Sequence, residues 1–332
     1  MRQTAWLLAA AALYLVLELR LLPSLLAGLL VHELVHLMAP TLQRRISSAR
    51  GKLIAVALLA VAVVGVTAAA AIGALAFFRS DAGSLASLFG RMAQIIEGAR
   101  ASLPPWALVY LPEAGDGAAG ELHTATVDWL RQHAAELRAI GKEAGLALAH
   151  IFVGMIIGAM VATREAVAVD ALGPLAEALV GRAQRITSAF RRIFFAQVRI
   201  SLLNTAFTTL YLAVALPLFG VQLPLTKTLI AVTFITGMLP VIGNLISNAV
   251  IVVVSLAHSP QTAAASLAFL VVVHKLEYFL NARIVGSQIK ASAWELLTAM
   301  LLMEAVFGLP GLVAAPIVYA WVKDELKTAG LV

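Results

Sequence analysis

The 332-residue sequence has no cysteine, which excludes disulfides, iron–sulfur clusters and thiol chemistry but leaves the compartment open, since a membrane chain needs none of them. Charge is scarce too: only 13% of residues are Asp, Glu, Lys or Arg, against roughly 25% in a soluble domain. With 61% hydrophobic residues and a mean hydropathy of +0.93, a soluble fold is excluded. A membrane β-barrel is excluded by pattern. Its strands would alternate every second residue and be richer in Tyr and Thr, whereas the apolar runs here approach the about 20 residues of a helical crossing. No aspartate lies within an apolar run, since Asp81, Asp116, Asp128, Asp170 and Asp324 all fall outside or at the ends. The fold class is therefore an all-α polytopic membrane protein in contact with the lipid bilayer. A net charge of +6 would suit nucleic acid, but the basic residues sit in short loops, where membrane orientation accounts for them, and no nucleic-acid partner is expected. The apolar stretch after Arg2 has no small-residue cleavage site ahead of a soluble chain, so an uncleaved anchor is expected.

Excess Lys and Arg in short loops orients the segments. Residues 4–19 and 21–39 read as a tight pair of spans. The loop with Arg44, Arg45, Arg50 and Lys52 carries no acid, which places it and the N-terminus in the cytoplasm. Residues 53–78 complete the N-terminal spans, 1–78. Residues 79–143 read as a small external helical region in which Leu122, Val127, Trp129, Leu130 and Leu137 form an amphipathic stripe, better suited to packing than to ligand binding. Residues 144–199 read as a span followed by a cytoplasmic amphipathic segment with six arginines, and 200–332 as a transport core. About eight membrane segments result, with the C-terminus also cytoplasmic.

Two of these segments are interrupted. Segment 225–257 carries Gly237-Met-Leu-Pro240-Val-Ile-Gly243-Asn244, and segment 293–322 carries Gly308-Leu-Pro310-Gly311. Proline removes a backbone donor and glycine permits close backbone approach. The loop 281–292 carries Arg283 and Lys290 without an acid, which makes both segments re-entrant hairpins entering from opposite faces; eight plain spans are the alternative. A span plus hairpin repeated with inverted orientation is the architecture of secondary transporters, whose broken helices hold the substrate.

Carboxylates in apolar runs are functional candidates, because burial at the bilayer centre costs about 2.5–3.5 kcal/mol on insertion scales. They are Glu277 and Glu304. His274 and Asn281 share a helix face with Glu277, a stripe able to take up a proton or cation; an ion pair with Arg283 or an arginine of 182–199 is the structural alternative. Asn204, Thr205, Thr208 and Thr209 add a polar stripe, read for the threonines as helix–helix hydrogen bonding. His32-Glu33-Leu-Val-His36 matches the zinc-protease pattern H-E-x-x-H, but a zinc site needs a third ligand; the alternative is polar residues at the inner end of a span.

The stretch Leu22 to Pro40 (LPSLLAGLLVHELVHLMAP), Gly237-Met-Leu-Pro-Val-Ile-Gly243, Leu276-Glu277 with Ile284-Val-Gly286, and Phe307-Gly-Leu-Pro-Gly-Leu-Val-Ala-Ala-Pro316 resemble the successive signatures of the autoinducer-2 exporter family of bacterial permeases. The resemblance implies export of autoinducer-2, in some members exchange of sodium or lithium for protons, and homo-oligomers with a pentamer as one arrangement. It implicates Pro240, Gly243, Glu277, Gly308, Gly311 and Pro316. This chain departs from the pattern at Asn281-Ala282, where a proline is usual before the Arg283 position, and at Glu304, where a small or apolar residue is usual. The resulting expectation is a secondary transporter of the bacterial inner membrane, without covalent chemistry or cofactor, moving a small polar solute. Proton or cation coupling would run through Glu277, with Thr236, Gly237, Pro240, Gly243 and Asn244 on one side of the substrate and Pro310 and Gly311 opposite. The alternatives are a sodium/proton antiporter, an intramembrane zinc protease and an oligomeric scaffold.

Overall fold

The computed structural model describes residues 2–44, 46, 48–80, 84–102, 124–134, 141–165, 172–239, 242–284 and 292–331. Every regular element among them is helical: α1 (Arg2–Glu18), α2 (Leu22–Gln43), α3 (Ala49–Arg79), α4 (Leu85–Ser102), α5 (124–134), α6 (Gly141–Glu165) and α7 (Pro174–Leu210). They are followed by α8 (Thr226–Gly237), α9 (Ile242–Leu256), α10 (Pro260–Ile284) and α11 (Ala293–Thr328). Among the described residues, three helical stretches are long and apolar enough to cross a membrane: Leu22–Gln43, Arg50–Phe77 and Pro174–Leu218. In the last, α7 continues through a π-helical turn at Tyr211–Ala215 to Leu218. The arginine-rich segment and the span expected after it are thus one helix from residue 174 on. Its length of roughly 70 Å at 1.5 Å per residue is about twice the hydrocarbon thickness.

The chain forms two compact units that alternate along the sequence. The first comprises residues 1–72, 143–195 and 287–332, the second residues 73–142 and 196–286. These boundaries differ from the four stretches read from the sequence, because packing unites helices far apart in the chain. The broken segment 225–257 falls in the second unit and 293–322 in the first.

In the first unit, Val31 and Val35 of α2, Val56 and Ala60 of α3, and Met155 of α6 form one buried cluster. A side chain at Gly154 would overlap the carbonyl oxygen of Ser24, and one at Gly158 that of Gly28. Glycine is therefore what lets α2 and α6 touch backbone to backbone, where dispersion rather than hydrophobicity holds membrane helices together. A second cluster joins Phe190 and Ile193 of α7 to Ile317 and Trp321 of α11. The arginine face of α7 meets the acids of the last turns of α11: Arg185 donates to Glu325 at 2.6 Å, and Arg192 pairs with Asp324.

In the second unit, Leu229, Val232, Ile251, Val254 and Leu270 form the core. Leu88 and Met92 of α4 and Val127 and Leu130 of α5 are buried against it. Two residues of the amphipathic stripe therefore pack as expected. Trp129 is exposed and stacks on His133 at 4.1 Å, while Leu122 and Leu137 lie outside the described residues.

Both interruptions are real breaks. The chain leaves the helix after Gly237 and resumes at Ile242. Within α11, Gly308 takes φ 64°, ψ −149°, a conformation open essentially only to glycine. Glu295 at the start of α11 accepts hydrogen bonds from Tyr319 (2.6 Å) and Lys323 (3.1 Å). A straight helix would hold residues 295 and 323 roughly 40 Å apart, so α11 doubles back at Gly308.

Candidate functional site

A helix that stops inside an apolar unit leaves four carbonyls without helical partners, and each needs a donor. At the end of α8 all four find one. Ile235 and Thr236 accept the backbone N–H groups of Met238 (3.1 Å) and Leu239 (2.8 Å). Phe234 accepts the Ser201 hydroxyl at 2.5 Å, and Gly237 accepts Nε2 of Gln197 at 2.6 Å. Just past the break, Asn204 donates to Oδ1 of Asn244 at 2.9 Å. The break is held closed by side chains of α7.

These donors belong to a longer row. Gln197, Ser201, Asn204, Thr208 and Tyr211 alternate steps of four and three residues, which keeps them on one helix face. Ser201, Asn204 and Thr208 are at most 3% exposed. Tyr211 continues the row, its hydroxyl 2.9 Å from that of Ser266, which lies 2.7 Å from that of Ser255. Thr208 breaks the pattern: its hydroxyl is buried with no hydrogen-bond partner among the described residues. From Gln197 to Tyr211 the row spans roughly 21 Å, lined by amides and hydroxyls.

The expected site residues separate accordingly. Thr236, Gly237, Gly243 and Asn244 come together at this break. A side chain at Gly243 would overlap the Thr236 carbonyl, and Thr236 bonds its hydroxyl to the Val232 carbonyl at 2.8 Å. Glu304, Gly308, Gly311 and the buried Pro316 belong to the first unit. There Gly311 packs against the carbonyl of Met303, and Glu304 stands exposed beside Leu301, Leu302 and Val306. Pro240 and the side chains of Glu277, Asn281 and Pro310 lie outside the described residues. Four arginines offered to Glu277 as ion-pair partners face other acids: Arg182 and Arg185 face Glu325, Arg191 faces Glu33, and Arg192 faces Asp324. Gln197, Ser201, Tyr211, Ser255 and Ser266 are the residues sequence reasoning missed. The four-three spacing of polar residues from 197 to 211 was the available signal.

His32 and His36 lie one helical turn apart with parallel rings, centroids 6.0 Å from each other. Glu33 is 4% exposed, with a carboxylate oxygen 3.8 Å from Arg191 Nε. Among the described residues no third His, Cys, Asp or Glu joins them as a metal ligand.

Described residues whose regular elements are all helical, with membrane-capable helices, two broken helices and a largely buried polar row, have the form of a membrane transport protein. The chain belongs to the AI-2E family of transporters, whose family model matches residues 4–329. No curated relative and no solved structure matches it.

Proposed function

We propose that this chain is a secondary transporter that passes a small polar, autoinducer-2-like solute along the polar face of α7, which packs against the α8–α9 break and exchanges its hydrogen bonds there for bonds to the solute. The observation that carries this reading is the row Gln197–Ser201–Asn204–Thr208–Tyr211, buried from Ser201 onward. Interhelical hydrogen bonds in membranes average only about 0.6 kcal/mol, too little to account for so long a row by packing, whereas polar residues inside membranes mark substrate paths. In this reading the α8–α9 pair and α11 are re-entrant hairpins of an inverted repeat, Glu277 is the coupling carboxylate, and the chain assembles with copies of itself in the bacterial inner membrane. A row without charge favours an uncharged solute over a bare ion.

The test is flux into proteoliposomes under a pH gradient with a panel of polyhydroxylated solutes. Wild type should carry one of them, and Asn204→Ala should carry it several-fold more slowly at unchanged protein yield. Sodium-driven proton movement with no solute flux would replace this reading with sodium/proton exchange. Reporters at Gly220 and His258 should both read outside and one at Lys290 inside; His258 reading inside would remove the re-entrant arrangement.

A further inference from the structure

The first unit holds a cleft of about 670 Å³ between α2, α6 and α7, lined also by Val16 of α1. Its walls are chiefly apolar, with Leu25, Leu29, Ile157 and Val161 prominent, and its floor is the close approach of Gly28 to Gly158. Ile157 and Val161 line it while remaining about half exposed, so apolar side chains border the mouth. Two of the lining helices, α2 and α7, lie in stretches able to cross a membrane.

One side of the cleft is polar. Gln184, Thr187, Ser188 and Arg191 share a face of α7, and His32, Glu33 and His36 line the cleft from α2. The Arg191 guanidinium lies 3.8 Å from Glu33, close enough for ion pairing but beyond a hydrogen bond. No hydrogen bond to Arg191 is present among the described residues, and half of its side chain is exposed, leaving a fork of N–H donors able to grip a phosphate in bidentate fashion. An apolar trough with a hydroxyl-bearing end, where Glu33 is buried and the Arg191 guanidinium is the exposed charge, opening through an apolar rim between membrane helices, matches an amphiphile whose phosphate meets that guanidinium. Basic pockets between membrane helices take lipid headgroups by this chemistry.

We propose that this cleft seats an acidic phospholipid of the surrounding bilayer, its phosphate on Arg191 and the adjacent hydroxyls of α7, and one acyl chain along the Leu25–Ile157–Val161 wall. A free phosphate would gain nothing from that wall, which is why the observations favour the lipid.

The experiment measures the melting temperature of the full chain in detergent with added phosphatidylglycerol, phosphatidylcholine or glycerol 3-phosphate, together with lipid adducts retained in native mass spectrometry. Phosphatidylglycerol should raise the melting temperature above phosphatidylcholine and remain as a one-to-one adduct, and glycerol 3-phosphate should do neither. Arg191→Gln with Glu33→Gln removes both charges together and should abolish the difference. Thr187→Trp should do so by filling the cleft while leaving the ion pair intact, which covers the case in which the double variant fails to fold. Equal effects of the two lipids, a difference that survives Thr187→Trp, or full stabilisation by glycerol 3-phosphate would each overturn the proposal.

Discussion

The α8–α9 break and the bend in α11 arise from similar glycine–proline sequences yet solve different problems. At the first, glycine is needed for space: a side chain at Gly243 would overlap the Thr236 carbonyl, and the freed carbonyls are met by Gln197 and Ser201. At the second, Gly308 is needed for conformation, since nothing lies within 4 Å of a methyl group placed there but its φ is 64°. Its surroundings are apolar, with Leu13, Leu26, Phe307 and Val313 packed together and Tyr14 edge-on to Phe307 at 6.0 Å. A broken helix therefore does not by itself mark a solute path. The proposed path rests on the neighbouring helix, and among the described residues it is the first break that faces a polar row.

The comparison is tested most severely by Gly243→Ala. The added methyl meets backbone that cannot swing aside as a side chain would, so the loss should reach the upper end of the roughly 1–3 kcal/mol of overpacking. A clear fall in melting temperature and lost flux are expected. An unchanged melting temperature would mean the two helices are not held as closely as described.

Ser201→Ala comes next. It strips the donor from the Phe234 carbonyl in a setting where no water replaces it, which should cost about 2 kcal/mol, in the range for an unsatisfied buried group. Thermal unfolding should show this loss, and α8 should exchange amide hydrogen faster near Gly237. Gly308→Ala is smaller: strain from the φ of 64° should cost about 1–2 kcal/mol, and flux should survive if the bend in α11 is architectural. Flux lost at intact stability would give the two breaks equal standing.

Much of this arrangement is legible in the residues alone. Both breaks are visible because glycine and proline act through local backbone geometry, and the all-helical membrane class is visible because composition registers the solvent. The row on α7 is only half visible. Its arginines draw the eye to a membrane boundary near residue 199, which detaches Gln197 from Asn204, although one helix carries both. The partners of the row, Phe234, Gly237 and Ser266, are set by tertiary packing, which no periodicity along one helix records. The H-E-x-x-H match is a local pattern whose glutamate faces Arg191, a partner that five residues of sequence do not record.

The smallest effect on stability, and the sharpest on function, should come from Thr208→Val. The two side chains have nearly the same shape, and the Thr208 hydroxyl is buried with no hydrogen-bond partner among the described residues. If the row were only helix-to-helix glue, this residue would be a defect in it. Replacing an unsatisfied buried hydroxyl with a methyl should then leave stability equal or raise it by up to about 1 kcal/mol, with flux unchanged. If the row is a solute path, an unpartnered hydroxyl is a group held ready for a passing solute. Stability should behave as before while the transport rate falls several-fold, since only the path loses a contact. Melting temperature and proteoliposome flux, measured on the same preparation of Thr208→Val, separate the two. A variant both stable and fully active would assign the α7 row to packing and leave the first break no different in function from the second.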